Sequence, residues 1–124
     1  MIDAKSTPKA NEGTLLWLIK IITGLLVIAL LLVHFIVNHY VAEGALLTYA
    51  QVIAYFSNPW IVLMEISFLI IVVAHGLIGL RSVILDLNLS RRIMSVTDWI
   101  LIIVGVVSIG YGIWLALVIA SQSA

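Results

Sequence analysis

Three long apolar runs restrict what this 124-residue chain can fold into. They cover residues 17–41, 60–87 and 96–120. Each is longer than the roughly 20 residues that a helix needs to cross a bilayer. The chain is 64% hydrophobic and 10% charged, with a mean hydropathy of +1.26. Because soluble domains of this size do not have that balance, the sequence predicts an all-α integral membrane protein with three transmembrane helices.

The segments around these runs are short. We expect residues 1–14 to form a polar tail and residues 15–121 to form a single three-helix transmembrane domain. Residues 43–58, between the first two spans, are mildly amphipathic and predict a short helix at the membrane interface. The sequence Ser57-Asn58-Pro59 is typical of a helix start, since a capping side chain is followed by proline. The second long helix should therefore begin at this proline.

Basic residues predict the orientation of the helices. They lie near the start of the chain and around the second loop, and they are Lys5, Lys9, Lys20, Arg81, Arg91 and Arg92. The first loop and the C-terminal tail carry none. By the positive-inside rule, the N-terminus and the second loop are expected in the cytoplasm, and the first loop and the C-terminus outside.

Charge and composition exclude several kinds of function. Six basic and six acidic residues cancel, so nothing in the sequence indicates binding to nucleic acid. The chain has no cysteine and therefore cannot hold an iron–sulfur cluster by itself. If electrons reach this protein from such a cluster, a partner subunit must hold it.

His75 lies deep in the second span, where an ionisable side chain is costly. Gly79 follows one turn later and leaves room beside the imidazole for a flat group, and Arg81 lies further toward the membrane surface. A haem needs a neutral imidazole for its iron, a small residue beside the porphyrin and a cation near the propionates. The sequence therefore predicts that His75 ligates haem iron. The simpler interpretation is that the imidazole hydrogen-bonds to a neighbouring helix.

His34 is a second candidate ligand, in the outer half of the first span. At the helical rise it lies about 12 Å from the outer membrane surface, whereas His75 lies about 22 Å from it. One haem could not easily take both ligands across this difference of about 10 Å. We therefore expect two haems, each completed by a histidine from another subunit. His39 lies about 140° around the helix from His34 and is expected to be an interfacial polar residue. Glu65 is an isolated acid in the outer half of the second span.

The third span carries small residues on one face, namely Gly105, Ser108 and Gly112. Small residues in a membrane helix allow a neighbouring helix to approach closely. We therefore expect this span to be a packing helix without a site of its own.

The second span resembles that of a known family. His75-Gly-Leu-Ile-Gly-Leu-Arg81, followed by Asp86, is similar to the second helix of succinate dehydrogenase membrane-anchor subunits. The resemblance covers about residues 15–120 and is closest to the smaller, D-type anchor of the two-anchor enzymes of bacteria and archaea. Its other elements, in chain order, are Thr23-Gly24, His34, Asn58-Pro59 and Glu65.

The resemblance implies a haem b-binding anchor subunit in a prokaryotic cytoplasmic membrane. Such a subunit works with a second anchor subunit to hold a flavoprotein and an iron–sulfur subunit at the inner face. Electrons from succinate then pass to a quinone, with menaquinone as the implied type, and the chain alone is not catalytic. The resemblance also implies two haems b per anchor pair, with His75 serving the haem nearer the cytoplasm and His34 the outer one.

The quinone site is where the chain departs from the family pattern. Relatives often have tyrosine where this chain has Leu87, and arginine shortly before the Ser/Thr-Gly pair where this chain has Lys20. The residues assigned to quinone by the resemblance are Lys20, Thr23, Arg81 and Asp86. We expect Asp86 either to orient Arg81 or to hydrogen-bond at the quinone cavity.

Two other functions remain open. The chain would be a haem-free structural anchor or assembly subunit if His34 and His75 only bridge helices. It would be a small proton channel if Glu65, His39 and His34 form a relay. The second alternative needs a continuous polar line through the membrane, and the inner half of the first span has few polar residues.

Overall fold

The computed structural model describes residues 12–41 and 48–123, and within these ranges the chain forms four helices. They are α1 (Thr14–Val41), α2 (Tyr49–Phe56), α3 (Pro59–Leu85) and α4 (Arg91–Ser121). Helices α1, α3 and α4 are long and apolar enough to cross a membrane, which confirms the three expected spans.

The start of α3 confirms the predicted capping sequence. The Asn58 side chain accepts a hydrogen bond from the Trp60 backbone N–H, and Pro59 occupies the first helical turn. Both features favour the start of a helix. The Asn58 side chain accepts from a backbone N–H that has no partner within the helix, and proline has no N–H that would need an acceptor.

The boundaries around the second loop differ from the prediction. Helix α3 ends at Leu85 instead of residue 87, and Asn88 in the following turn has a φ of 52°. Helix α4 begins at Arg91 instead of residue 96, because the Ser90 side chain accepts from the Ile93 N–H and caps it. Hydropathy alone missed this polar first turn, since the cap lies outside the apolar run.

Helix α2 is shorter than the predicted amphipathic segment. It begins with a capping box in which the Thr48 hydroxyl accepts from the Gln51 N–H, and the Gln51 side chain accepts from the Thr48 N–H. The predicted stretch 43–47 lies outside the described residues. The Tyr49 hydroxyl donates to the Gln122 side chain, so the start of α2 is linked to the end of α4.

Helix α3 lies in the middle of the bundle. Helices α1 and α4 both pack against it, and α2 packs against α3 and α4. A Cβ built on Gly105 would lie 2.8 Å from Leu77 Cδ1, and one on Gly112 would collide with Leu69. These contacts confirm that the small residues of α4 let α3 approach closely. Ser108, in contrast, is exposed.

The bundle buries few side chains. Among the described residues, the buried ones are Gly105 and five others, namely Thr23, Tyr55, Ile61, Met94 and Ala116. Large apolar side chains cover the outside of α1 and α4. An apolar surface of this extent is typical of a chain surrounded by lipid or by the helices of other subunits.

Candidate functional site

His75 projects from α3 toward α1, where it meets Thr23. The distance between His75 Nδ1 and Thr23 Oγ1 is 3.1 Å. The Thr23 hydroxyl also lies 2.7 Å from the carbonyl of Ile19. When the hydroxyl donates to that carbonyl, it accepts from Nδ1–H of His75, and Nε2 then keeps the lone pair of the ring.

The residue against the His75 ring is Gly24. A Cβ at Gly24 would lie 3.2 Å from His75 Cε1, so only glycine fits without displacing the imidazole. From the sequence, we had expected Gly79 to be the residue that leaves room beside the imidazole. A Cβ at Gly79 would meet nothing within 4 Å among the described residues. Gly79 thus leaves an open side on α3, while Gly24 sets the approach of α1 to the ring.

His34 lies in a second polar group between α1 and α3, which we call the His34–Glu65 cluster (His34, Asn38, Tyr55 and Glu65). His34 Nδ1 lies 3.2 Å from Glu65 Oε1, and its ring stacks on Phe68 with 4.7 Å between centroids. Asn38 Nδ2 lies 3.4 Å from the same Nδ1, so this ring nitrogen has both an amide and a carboxylate beside it.

Helix α2 holds the Glu65 side chain from the other side. The Tyr55 hydroxyl donates to Glu65 Oε1 at 2.6 Å and accepts from Asn38 Nδ2 at 3.2 Å. Asn38 Nδ2 also donates to the His34 carbonyl at 2.8 Å. Burial, together with the hydrogen bond to Glu65, raises the pKa of Tyr55, so the phenol remains a donor. The Glu65 carboxylate on α3 is therefore contacted by side chains of two other helices, α1 and α2.

The two imidazoles lie at different levels of the bundle. His75 is level with Gly24 and His34 is level with Phe68. At the helical rise these positions are about 10 to 15 Å apart along the helices. Within residues 12–41 and 48–123, neither Nε2 has a hydrogen-bond partner, and both side chains are partly exposed. Each imidazole thus leaves one ring nitrogen, Nε2, without a partner among the described residues.

His39 faces away from both groups. It is exposed, stacks on Phe35 at 5.9 Å between centroids and meets the edge of Tyr40. The helical spacing predicted this position, on a different face of α1 from His34 and nearer the membrane surface.

Lys20 and its neighbours form a polar group where α1 begins and α3 ends. Lys20 Nζ lies 2.9 Å from both carboxylate oxygens of Glu12 and 3.1 Å from Ser82 Oγ. Ser82 donates to Glu12 at 2.6 Å. The hydrogen bonds from Ser82 and Lys20 hold the pKa of Glu12 below its ordinary value. This group ties the residues just before α1 to the last turn of α3.

Arg81 pairs with Asp98 of α4, and the expectation that Asp86 orients it was wrong. Arg81 Nε donates to Asp98 Oδ1 at 2.6 Å and Nη2 donates to Oδ2 at 3.2 Å. Asp86 instead caps the end of α3 and is exposed. The reason is helical geometry, because Arg81 faces α4 while Asp86 has already left the helix. In the described part of the chain, Arg81 Nη1 is buried and has no partner.

The four residues assigned to quinone are not brought into one group. Lys20 contacts Ser82, Thr23 contacts His75, and Arg81 contacts α4. Arg81 and Asp98 instead line a cavity of about 450 Å³ between α3 and α4, whose other lining residues are apolar or glycine.

Sequence reasoning missed Asn38, Tyr55 and Asp98 as members of these polar groups. Asn38 follows His34 by one helical turn, which is a local signal that the two side chains lie together. The contact of Tyr55 with Glu65 and of Asp98 with Arg81 depends on how the helices pack, and spacing along the chain cannot show it.

Together, the fold and these side chains define a multi-pass helical membrane protein with two single imidazoles at different depths. Residues 3–114 match the family model described as succinate dehydrogenase/fumarate reductase transmembrane subunit. The chain belongs to this family, as the resemblance of its second span indicated.

Two curated relatives support the same assignment. A protein from Archaeoglobus fulgidus, named succinate dehydrogenase hydrophobic membrane anchor subunit, is 31% identical over 115 residues, covering 93% of this chain and 97% of that protein. A protein of the same name from Thermoplasma acidophilum is 30% identical over 117 residues, covering 94% of this chain and 95% of that protein. No solved structure matches the chain.

Proposed function

We propose that this chain is the smaller, D-type membrane anchor of a succinate dehydrogenase and that it binds haem b. In this proposal it pairs with a second anchor subunit and holds a flavoprotein and an iron–sulfur subunit at the inner face of a prokaryotic cytoplasmic membrane. The N-terminus is cytoplasmic and the C-terminus lies outside. Support comes from the family, from the names of the two relatives and from the distribution of basic residues.

The observation that carries the haem proposal is that each imidazole has a free nitrogen. Nδ1 of His75 is hydrogen-bonded to Thr23, Nδ1 of His34 lies beside Asn38 and Glu65, and each ring leaves Nε2 without a partner among the described residues. Ligating histidines usually donate the other ring N–H to a carboxylate, carbonyl or similar acceptor, which fixes both tautomer and ring orientation. The residues present therefore fit haem iron as single axial ligands.

The roles of this chain's residues follow from that fit. Haem iron with two histidine ligands has no open position and supplies one-electron transfer without binding substrate. His75 and His34 each supply Nε2, and the opposite ligands come from the second anchor. The open side of α3 at Gly79 leaves room for a flat ring. Arg81 would supply the cation near a haem propionate, since a guanidinium can form paired hydrogen bonds to a carboxylate.

The proposed quinone site lies at the cytoplasmic end of the chain and uses Lys20, Thr23, Arg81 and Asp86, with menaquinone as the quinone. Lys20 and Arg81 lie at the same end of the bundle but face different helices. The iron–sulfur subunit and the second anchor must therefore supply much of this site.

Substitution of the two histidines tests the haem proposal. In the assembled complex, His75→Leu and His34→Leu should each remove about half of the haem b signal in reduced-minus-oxidised spectra, because each removes one axial ligand. His39→Leu is the matched control and should keep the full signal, since His39 is exposed and lies apart from both groups. An undiminished signal in both ligand variants would contradict the proposal.

A haem-free structural anchor is the second candidate, and one observation favours it. Both imidazoles bridge α1 and α3 through side-chain contacts that need no cofactor. In that case the purified wild-type complex has no haem b spectrum, whereas His75→Leu and His34→Leu still loosen the packing of the two helices.

A further inference from the structure

The ammonium group of Lys20 is enclosed, although Lys20 lies near the start of a membrane helix. Lysine side chains in such positions usually extend their charged end toward water. Here the side chain is 24% exposed, and Nζ lies 2.9 Å from both carboxylate oxygens of Glu12 and 3.1 Å from Ser82 Oγ on α3. An ammonium group has three N–H bonds, so Glu12 and Ser82 together account for all of them.

Glu12 is the stronger of these two acceptors. Its carboxylate is charged, its side chain is 21% exposed, and it contacts Lys20 Nζ through both oxygens. Hydrogen bonds between charged groups are about twice as strong as bonds between neutral groups. A quinone carbonyl is a neutral acceptor, and it finds no free N–H on Lys20 while Glu12 is in place.

Glu12 can move away without breaking a helix. It lies before α1, and a Cβ on the next residue, Gly13, would meet nothing within 4 Å among the described residues, so the backbone there has room to rotate. The Ser82 hydroxyl has a second acceptor, since its Oγ lies 3.2 Å from the Ile78 carbonyl. When Glu12 withdraws, Ser82 keeps a partner, and Lys20 is the group left with free N–H donors.

We propose that Glu12 is a displaceable acceptor that closes the Lys20 end of the quinone site and opens it by withdrawing from Lys20. The inference rests on the proposed quinone site at Lys20. The quinone carbonyl accepts from the N–H groups that Glu12 releases, and no covalent bond forms or breaks. Glu12 is therefore a positioning residue, because it acts on the quinone through Lys20.

The test compares Glu12→Ala with the wild type in the purified complex, through succinate-dependent reduction of a short-chain naphthoquinone. Removing the carboxylate frees two N–H donors of Lys20, so KM for the quinone should fall about tenfold while kcat stays unchanged. Glu12→Gln keeps the size and one acceptor oxygen and should give a smaller fall. Leu15→Ala changes an exposed residue nearby and is the control, which should keep the wild-type KM.

A purely structural contact gives a different result. If Glu12 only fastens the segment before α1 to α3, Glu12→Ala lowers the melting temperature of the complex while KM stays unchanged or rises. That outcome would refute the inference. If Glu12→Ala does not assemble, Glu12→Gln decides in the same way, since an unchanged or higher KM in that variant is equally a refutation.

Lys20→Leu separates this inference from the proposed quinone site. A higher KM in Lys20→Leu, without a fall in Glu12→Ala, would refute the role of Glu12 and leave the site at Lys20 standing. An unchanged KM in Lys20→Leu would refute that site, and the inference would fall with it. If both proposals hold, adding Glu12→Ala to Lys20→Leu should no longer lower KM, since Glu12 acts through Lys20.

Discussion

Replacing Gly24 by alanine places a methyl group against the imidazole of His75. The new Cβ would lie 3.2 Å from Cε1 and 3.8 Å from Nδ1 of the ring. Carbon atoms in favourable contact are about 3.5 to 4.0 Å apart, so the ring must retreat by a few tenths of an ångström. The hydrogen bond to Thr23 opposes that movement. Metal–ligand distances in well-formed sites stay within about 0.2 Å of their usual values, so a ring displaced by more than that should ligate less well.

The magnitude follows from two opposing effects. Overpacking costs about 1 to 3 kcal/mol, and one methyl group against a partly exposed ring belongs at the low end of that range. Alanine regains about 1 kcal/mol through its better helix propensity. Stability of the complex should therefore change little, whereas affinity for the inner haem should fall about fivefold, which corresponds to about 1 kcal/mol.

The assay is haem b per complex at limiting haem, together with thermal denaturation of the same samples. Gly110→Ala is the matched control, because a Cβ there meets nothing within 4 Å among the described residues. It should keep the haem content of the wild type. Full inner-haem content in both Gly24→Ala and the bulkier Gly24→Leu would refute the account of the His75 site.

Three further predictions concern other parts of the chain. Arg81→Leu should weaken retention of the inner haem or shift its midpoint potential, whereas the exposed Arg91→Leu should do neither; equal, unaltered values would leave Arg81 without a role at the cofactor. Gly79→Ala should also lower inner-haem content, because the proposed porphyrin passes beside this residue. Nothing in the described chain lies within 4 Å of the new methyl group, so unchanged haem content would show that the porphyrin lies elsewhere. The lowered pKa of Glu12 means that its carboxylate stabilises the fold above its ordinary pKa of 4.5 and that this stabilisation is lost as the pH falls through the lowered value. The melting temperature of the complex, measured from about pH 3 to 7, should therefore show an acid-dependent step that Glu12→Gln removes, and an identical step in the variant would contradict this.

The three spans could be predicted because length and hydropathy decide them. The bilayer requires long apolar helices, and the first, third and fourth helices provide them. The start of α3 was also predictable, since Asn58 and Pro59 act locally. The start of α4 was not predicted, because the Ser90 cap precedes a polar turn that hydropathy does not detect.

The candidate site was predictable only in part. The depth of His75 and His34 follows from helical rise, and the structure keeps them at different levels. Their partners could not be deduced, because Thr23 reaches His75 and Glu65 reaches His34 across helix interfaces, and Tyr55 reaches Glu65 in the same way. Side-chain contacts of this kind depend on the rotation of each helix about its axis, and periodicity in one sequence does not fix that rotation.

The partner of Arg81 illustrates the same limit. Asp86 is close in sequence and was the natural choice, yet Asp98 on the neighbouring helix forms the pair. The antiparallel packing of α3 and α4 brings position 98 beside position 81, whereas the end of α3 carries position 86 away from it. Sequence proximity is thus a poor guide to ion pairs between membrane helices.

The central claim is that two haems are held through Nε2 of His75 and Nε2 of His34. An experimental structure of the purified complex with its partner subunits tests it most directly, because the claim specifies atoms. We predict two irons at the interface of this subunit with the second anchor, each about 2 Å from one of these Nε2 atoms, with Nδ1 of His75 still hydrogen-bonded to Thr23. A structure with iron at neither histidine, or with a single haem bound elsewhere, would contradict it.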